Sequence, residues 1–404
     1  MARSLSTLNF SQSEVTNPLD WDSLENHAYL NPRLPEEDSL RLRTLIESVS
    51  DQFRGHVFLL TSGTSGQAGQ ALKWVALSKA ALLTSAAEVN RHLNTQSTQS
   101  GSRDVWLHVL PDFHVGGLGI RARSFLSGAK VVRLPLWDPQ SFVDQAVTHQ
   151  ATFTSLVPAQ VFDLVQRGLR CPISMRSVFV GGGALAHSLG SKAHELGWPL
   201  LMTYGMTEAC SQIATSNLNS VELELLPHWE ARSGEEGRIQ IRGDSLLTAY
   251  VYSGAKGEAV VLDPREDGWF SPQDLVAIQG RKIQILGRTQ DFIKIGGESV
   301  DLARLRLILD NIKADIQVLA DMALIAVPDG RLGHVIHLVS DHSLTQEVAS
   351  SIQEIFNRKV VAFERIRKWT RMHALPRTTL GKLIPNHESL RSISTDRSSE
   401  AFQL

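Results

Sequence analysis

Residues 59–74 read LLTSGTSGQAGQALKW: two leucines close a β-rich run, and hydroxyls and glycines follow until the first lysine, Lys73. Glycine lets backbone N–H groups converge, and the Thr and Ser hydroxyls between them add donors, so the stretch can form a concave surface for phosphate oxygens. A solvated turn has the same composition, and the stretch alone does not separate the two readings. The GxxxxGK[ST] spacing of a Walker loop is absent, and VGGGALA from Val180 departs from the GxGxxG dinucleotide pattern. The common nucleotide-binding folds are therefore disfavoured, and the surrounding sequence has to decide.

Between Val57 and Gly205 short β-rich runs recur, each closed by a glycine or proline turn: VFLLTSG, VWLHVLP, KVVRLP, TFTSLVP, SVFVGGG and PLLMTYG. Several are apolar almost throughout, as strands buried on both faces are, and the segments between them carry helical spacing. An α/β layered domain of sheets and helices is predicted. One helix is expected after Ser78, a suitable N-cap, with Leu82, Ala86, Val89 and Leu93 on one stripe. The opening loop is thus expected between a strand and a helix. After Trp229 the runs GRIQIRG and RKIQILGR read as hairpin strands. A smaller α+β unit is predicted from about Gly287. There, Leu302, Leu305, Ile308, Leu309 and Ile312 recur at helical intervals, and MALIAVPDGRLGHVIHLVS reads as two strands around a glycine turn.

At 404 residues the chain exceeds one ordinary compact core, which predicts two domains. A formal charge of -2 gives no bulk attraction to nucleic acid or anionic lipid, so neither is expected as a partner. Cys171 and Cys210 are the only cysteines; their separation fits a reducing compartment and argues against a zinc cluster. The start, MARSLSTLNFSQSEV, has no continuous apolar core, and no later run approaches the roughly 18 apolar residues of a membrane span. A cytoplasmic protein is expected; a homo-oligomer stays open.

Several further stretches carry chemistry-bearing residues. VLPDFHVGGLGIRARSFLSGA sets His114 before glycines, and VFVGGGAL closes a strand on three glycines that could mark a tight turn or let a flat ring lie on the backbone. YGMTEACSQIAT places Thr207 and Glu208 after another strand, where they could cap a helix or meet phosphate and Mg²⁺. GWFSPQDL carries Asp274, ILGRTQDFIKIGGESVDL carries Arg288, and PRTTLGKLIPN carries Lys382. Each is weak alone. In this order, from Phe58 to about Leu390, they resemble the adenylate-forming superfamily of acyl-CoA synthetases, peptide-synthetase adenylation domains and luciferases. TSGTSG, YGMTE, ILGRTQDFIKIGGE and PRTTLGK are the most specific pieces.

The resemblance implies a large N-terminal AMP- and acid-binding domain, residues 1–287, and a mobile C-terminal domain, residues 288–404, with a hinge near Gln290. It implies ATP, Mg²⁺ and coenzyme A as ligands. Thr61, Ser62, Gly63, Thr64, Ser65 and Gly66 would hold the β- and γ-phosphates. Gly182, Gly183 and Ala184 would line the adenine with Tyr204 over it, Thr207 would meet the α-phosphate, and Glu208 would bind Mg²⁺. Asp274 and Arg288 would hold the ribose, and Lys382 would bridge the acid and the α-phosphate. After domain rotation the backbone at Ile295, Gly296 and Gly297 would line the thiol channel, with Lys294 in reach of the site.

The chain departs from the family pattern in three places. Gln290 stands where Asp or Lys is usual, QAGQALK replaces Pro-Lys-Gly so that the loop lysine is missing or displaced to Lys73, and SPQDL replaces TGDL while keeping Asp274. Fewer residues precede the loop than in most relatives, so a reduced N-terminal part is expected. Among family members, FHVGGL is most similar to the o-succinylbenzoate-CoA ligases of menaquinone synthesis, which implies His114 at the acid pocket. Arg121 and Arg123 are candidates for a second carboxylate or for a solvated helix face. A ligase for another aryl or aliphatic acid, or an adenylation enzyme loading a carrier protein, are the alternatives.

Overall fold

The computed structural model describes residues 8–11, 19–32, 34, 36–61, 73–95, 104–218, 220–254, 256–288, 292–295, 298–329, 332–372, 375 and 401–402. Ser62, Gly63, Thr64, Ser65, Gly66, Gln290, Gly296, Gly297 and Lys382 lie outside the described residues, as do the side chains of Arg288 and Lys294.

Two large sheets form the body of the fold. One has nine strands in the order Asp274–Gln279, Lys282–Arg288, Leu223–Leu225, Ser211–Thr215, Leu200–Met206, Ser177–Val180, Phe153–Leu156, Val105–His108 and Lys130–Arg133. Its last five strands are parallel, and its first four pair antiparallel. The second sheet has six strands: Leu8–Ser11, Asn26–Tyr29, His56–Thr61, Lys73–Ser78, Ala249–Ser253 and Ala259–Leu262.

Strand alternation assigns each side chain to a layer. Trp106 and Phe179 face a central core shared with Val57, Leu59, Val75 and Leu77 of the other sheet. Helices Lys79–Thr95 and Val115–Ser127 fill that space through Leu82, Ala86, Val89, Leu93, Leu118 and Ile120. Val105, Leu107, Val178 and Val180 point the opposite way, onto helices Pro139–Thr148, Pro158–Gln166 and His187–Glu195. Phe58, Trp74 and Ala76 pack against Leu42 and Ile46 of helix Glu36–Glu47, whose Leu42 carbonyl accepts from Trp74 Nε1 at 3.0 Å. The resulting layers are helix, sheet, helix, sheet, helix. Both faces of the parallel strands are covered, which explains their continuous apolar sequence.

The expected helix after Ser78 is present, and Ser78 Oγ accepts from Ala81 N at 3.0 Å as its cap. The expectation for the loop before it needs correction. Residues 73–78, KWVALS, form a strand paired antiparallel with His56–Thr61, so the loop joins two strands of one hairpin and the helix follows the second. The apolar run KWVALS has no period that distinguishes a strand from a buried helical turn.

From Ile295 onward the chain packs around a core of its own. Helices Leu302–Asp315 and Gln346–Lys359 cover strands Met322–Asp329, Gly333–Ser340 and Ile366–Arg371, with Leu305, Leu309, Ile352, Phe356 and Trp369 inside. Asp301 caps the first helix by accepting from Arg304 N at 3.1 Å. The glycine hairpin predicted within 322–340 is formed, closed at Asp329 and Gly333. Among the described residues no helix is long and apolar enough to cross a membrane.

Candidate active site

The strand Leu200–Met206 runs into a single 3₁₀ turn, Thr207–Ala209, and the chain then reverses into Ser211–Thr215. The reversal is tight. A Cβ on Gly205 would lie 1.7 Å from the Ser211 carbonyl oxygen, so this position admits glycine alone. Cys210 and Ser211 take φ of 50° and 105°, conformations that L residues rarely hold, at a cost of about 1–3 kcal/mol each. Neighbours fix the turn: Cys210 N donates to Thr207 O at 3.1 Å, and Leu247 N donates to Glu208 O at 2.7 Å. Thr207 and Glu208 are thereby presented, half-buried, at the end of the sheet.

Glu208 Oε1 accepts from the Tyr250 hydroxyl at 2.9 Å, and no hydrogen bond from the described residues reaches Oε2. Lys73 Nζ sits 3.6 Å above the centre of the Tyr250 ring. Burial pulls the Lys73 ammonium below its ordinary range, while the Glu208 charge acts the other way. Thr61 pairs with Lys73 across the hairpin, so both ends of the glycine loop meet beside Glu208. The Thr61 hydroxyl is buried there without a partner among the described residues.

At the neighbouring strand ends, Gly182, Gly183 and Ala184 form an exposed ledge after Ser177–Val180. Tyr204, from the adjacent parallel strand, donates to Asp274 Oδ2 at 2.8 Å, and Asp274 stands opposite Arg288 in the register of its hairpin. The two acidic positions expected to contact a nucleotide therefore flank one strand terminus, where open α/β sheets bind ligands. Lys294 lies on a separate two-stranded hairpin, opposite Ser299.

His114 occupies the N-cap position of Val115–Ser127. Its Nε2 is buried without a partner among the described residues, its ring lies 4.5 Å from that of Phe113, and burial drives its pKa down to about 4. Farther along this helix the two arginines part company. Arg121 donates to Asp112 Oδ2 at 3.1 Å and to the Tyr29 hydroxyl at 3.0 Å; Arg133 adds a 3.0 Å contact to Asp112. Arg121 thus belongs to a half-buried strut around the buried Asp112 rather than to a solvated face. The Arg123 side chain is fully buried and makes one hydrogen bond among the described residues, Nη2 to Ser211 Oγ at 3.3 Å. Its Nε and Nη1 have no partner among the described residues, and Trp106 and Phe179 lie 5.7 and 5.4 Å from its guanidinium carbon. Burial alone lowers its pKa to about 9, so no described carboxylate offsets its charge. The missing side chain of Gly119 keeps space open at Nη2, where a Cβ would come within 3.2 Å.

Tyr250 and Ser211 escaped sequence reasoning, because a Tyr inside a strand and a Ser in a turn carry no signal of their partners. Among the described residues no three His, Cys, Asp or Glu could together hold a metal. A single carboxylate oxygen beside an orphaned hydroxyl suits Mg²⁺, which keeps its waters and takes phosphate oxygens as further ligands. The thiols of Cys171 and Cys210 are free, and burial raises both pKa values, that of Cys171 to about 12.

Known proteins resemble this chain in sequence and in fold. The chain is 28% identical over 299 residues to a 2-succinylbenzoate–CoA ligase of Bacillus licheniformis, covering 70% of this chain and 60% of that protein. It is 26% identical over 313 residues to one of Staphylococcus epidermidis, covering 73% and 64%. The matched part thus spans a little under two thirds of the length of these relatives. In fold it is similar to Bacillus subtilis o-succinylbenzoate CoA synthetase in complex with the acyl-adenylate OSB-AMP: TM-score 0.75, 22% identity, 90% of this chain and 83% of that one. The same synthetase with ATP and magnesium ion gives a TM-score of 0.73 at 21% identity, covering 90% and 84%. The family model described as AMP-binding enzyme matches residues 44–251, a span running from helix Glu36–Glu47 through the glycine loop and the Thr207–Glu208 turn to Tyr250. Because that match takes in more than half of the sequence, the chain belongs to the AMP-binding enzyme family.

Proposed function

We propose that this chain is an ATP-dependent acid–CoA ligase of the cytoplasm that activates 2-succinylbenzoate as an acyl-adenylate and then transfers the acyl group to the thiol of coenzyme A. A carboxylate cannot expel oxide, so its oxygen attacks the α-phosphorus of ATP, pyrophosphate leaves, and the mixed anhydride becomes open to thiol attack with release of AMP. Negative charge accumulates where acid and phosphates meet, and catalysis consists of gathering it.

In this reading Thr61 and the glycine loop hold the β- and γ-phosphates, Thr207 meets the α-phosphate, and Gly182, Gly183, Ala184 and Tyr204 hold the adenine. Asp274 and Arg288 bind the ribose. Glu208 would hold Mg²⁺ through Oε2; the ion, when bound, neutralises phosphate charge. Lys382 joins acid and α-phosphate during adenylation. The separate core beyond Ile295 supports a C-terminal domain that turns about a hinge near Gln290, bringing Lys294, Gly296 and Gly297 to the thiol channel for the second step.

The observation that carries the choice of acid is Arg123. A buried guanidinium without a counter-charge is costly, and a substrate with a second carboxylate, met directly or through water, supplies the missing anion. The names of the relatives support the same acid. The test is pyrophosphate exchange with a panel of aryl keto-diacids, matched monoacids and fatty acids, with and without CoA. Preference for the diacid and CoA-dependent thioester formation are expected; no exchange with any acid would overturn the reading, and indifference to the second carboxylate would overturn the choice of acid.

A further inference from the structure

Glu208 is held from two sides by one segment. Leu247 N donates to its carbonyl at 2.7 Å, and three residues later Tyr250 donates its hydroxyl to Oε1 at 2.9 Å. That segment is itself stitched to the loop hairpin: Thr248 N donates to Ala76 O at 2.8 Å, and Tyr250 pairs with Val75. Val75 and Lys73 share one face of their strand, so Lys73 reaches diagonally across the pair to lie 3.6 Å over the Tyr250 ring. The ring has little freedom: it is 8% exposed, with the cation on one face and its hydroxyl committed to the carboxylate.

We infer that Tyr250, with Lys73 on its ring, is a positioning residue that fixes the Glu208 carboxylate so that Oε2 is the oxygen presented to a divalent cation. The inference rests on the reading of this site as an ATP site. Without the phenol hydroxyl, Glu208 would have to order its side chain on each binding event, and its Oε1 would be free to turn toward Lys73. Groups that orient a metal ligand typically change metal affinity by about 10- to 100-fold when removed.

The experiment is calorimetric titration of the full chain with ATP, with and without Mg²⁺ and without any acid, so that no turnover occurs. Wild type should bind ATP more tightly when Mg²⁺ is present. Tyr250→Phe should lose about tenfold or more of that gain, with metal-free ATP affinity unchanged. Glu208→Gln should abolish the gain, and adding Tyr250→Phe to it should cost nothing more. A merely structural tyrosine would weaken ATP binding equally in both conditions, and that result, or a full Mg²⁺ gain in Tyr250→Phe, would overturn the inference while leaving the ligase reading intact. If wild type bound no ATP, both would fall. A thermal melt of Tyr250→Phe matching wild type within a few degrees establishes that the fold is retained.

Discussion

Thr61 and Lys73 stand opposite each other in the antiparallel pair that closes the glycine loop, so the loop leaves and re-enters the sheet at one point. The Thr61 hydroxyl at this point is buried and lacks a partner among the described residues. Leaving such a group unsatisfied costs about 1–3 kcal/mol. Thr61→Val should therefore leave stability unchanged or slightly raise it, while weakening ATP binding about 2- to 13-fold, the worth of one hydrogen bond. Urea denaturation and ATP titration of the same variant check both halves; lower stability with unchanged ATP affinity would refute the assignment.

Arg123 offers a prediction of the same form with larger amplitude. Arg123→Met removes a buried charge that no described carboxylate offsets and should stabilise the fold by about 1–3 kcal/mol. It should also reduce discrimination for a diacid over the matched monoacid by about tenfold or more, since charged hydrogen bonds contribute about 1.5–3 kcal/mol. A destabilised variant with unaltered acid preference would show that the arginine serves packing alone.

Gly205→Ala should be among the most damaging substitutions in the molecule. Its Cβ would fall inside the Ser211 carbonyl, and the turn carrying Thr207 and Glu208 would have to open. A loss above about 4 kcal/mol, or failure to accumulate as folded protein, is expected. A soluble variant with a wild-type melt would contradict the close approach.

Tyr204→Phe leaves Asp274 buried without its 2.8 Å phenol donor. Stability should fall by about 1–3 kcal/mol, as for other lost hydrogen bonds to a charged group, and KM for ATP should rise. An unchanged KM would detach this pair from nucleotide binding.

Acid should unfold the protein early. His27, His108, His114 and His228 are all lowered from 6.5 to about 4, with burial the largest cause in each. The unfolded chain gains protons below pH 6.5 that the folded chain refuses until about pH 4, so stability declines across that window and changes little from this source above it. Denaturation midpoints at pH 7.5, 6 and 5 should decrease in that order; His114→Gln should flatten part of the decline. A midpoint independent of pH between 7.5 and 5 would show that these imidazoles titrate normally.

Much of the architecture was written locally. Apolar strands ending in glycine, the Ser78 cap and the 322–340 hairpin depend on neighbours within a few residues, and all are found as read. So was the placement of Thr207 and Glu208 at a strand end. What the sequence alone could not decide were relationships across long separations. Whether KWVALS extends as a strand depends on edges supplied by His56–Thr61 and Ala249–Ser253, because its apolar residues suit either conformation. Arg121 and Arg123 differ by two positions, which turns them roughly 200° apart on the helix. Tertiary packing then put Asp112 beside the first and, among the described residues, aromatic rings and one hydroxyl beside the second, separating a structural ion pair from a cation that no described carboxylate offsets.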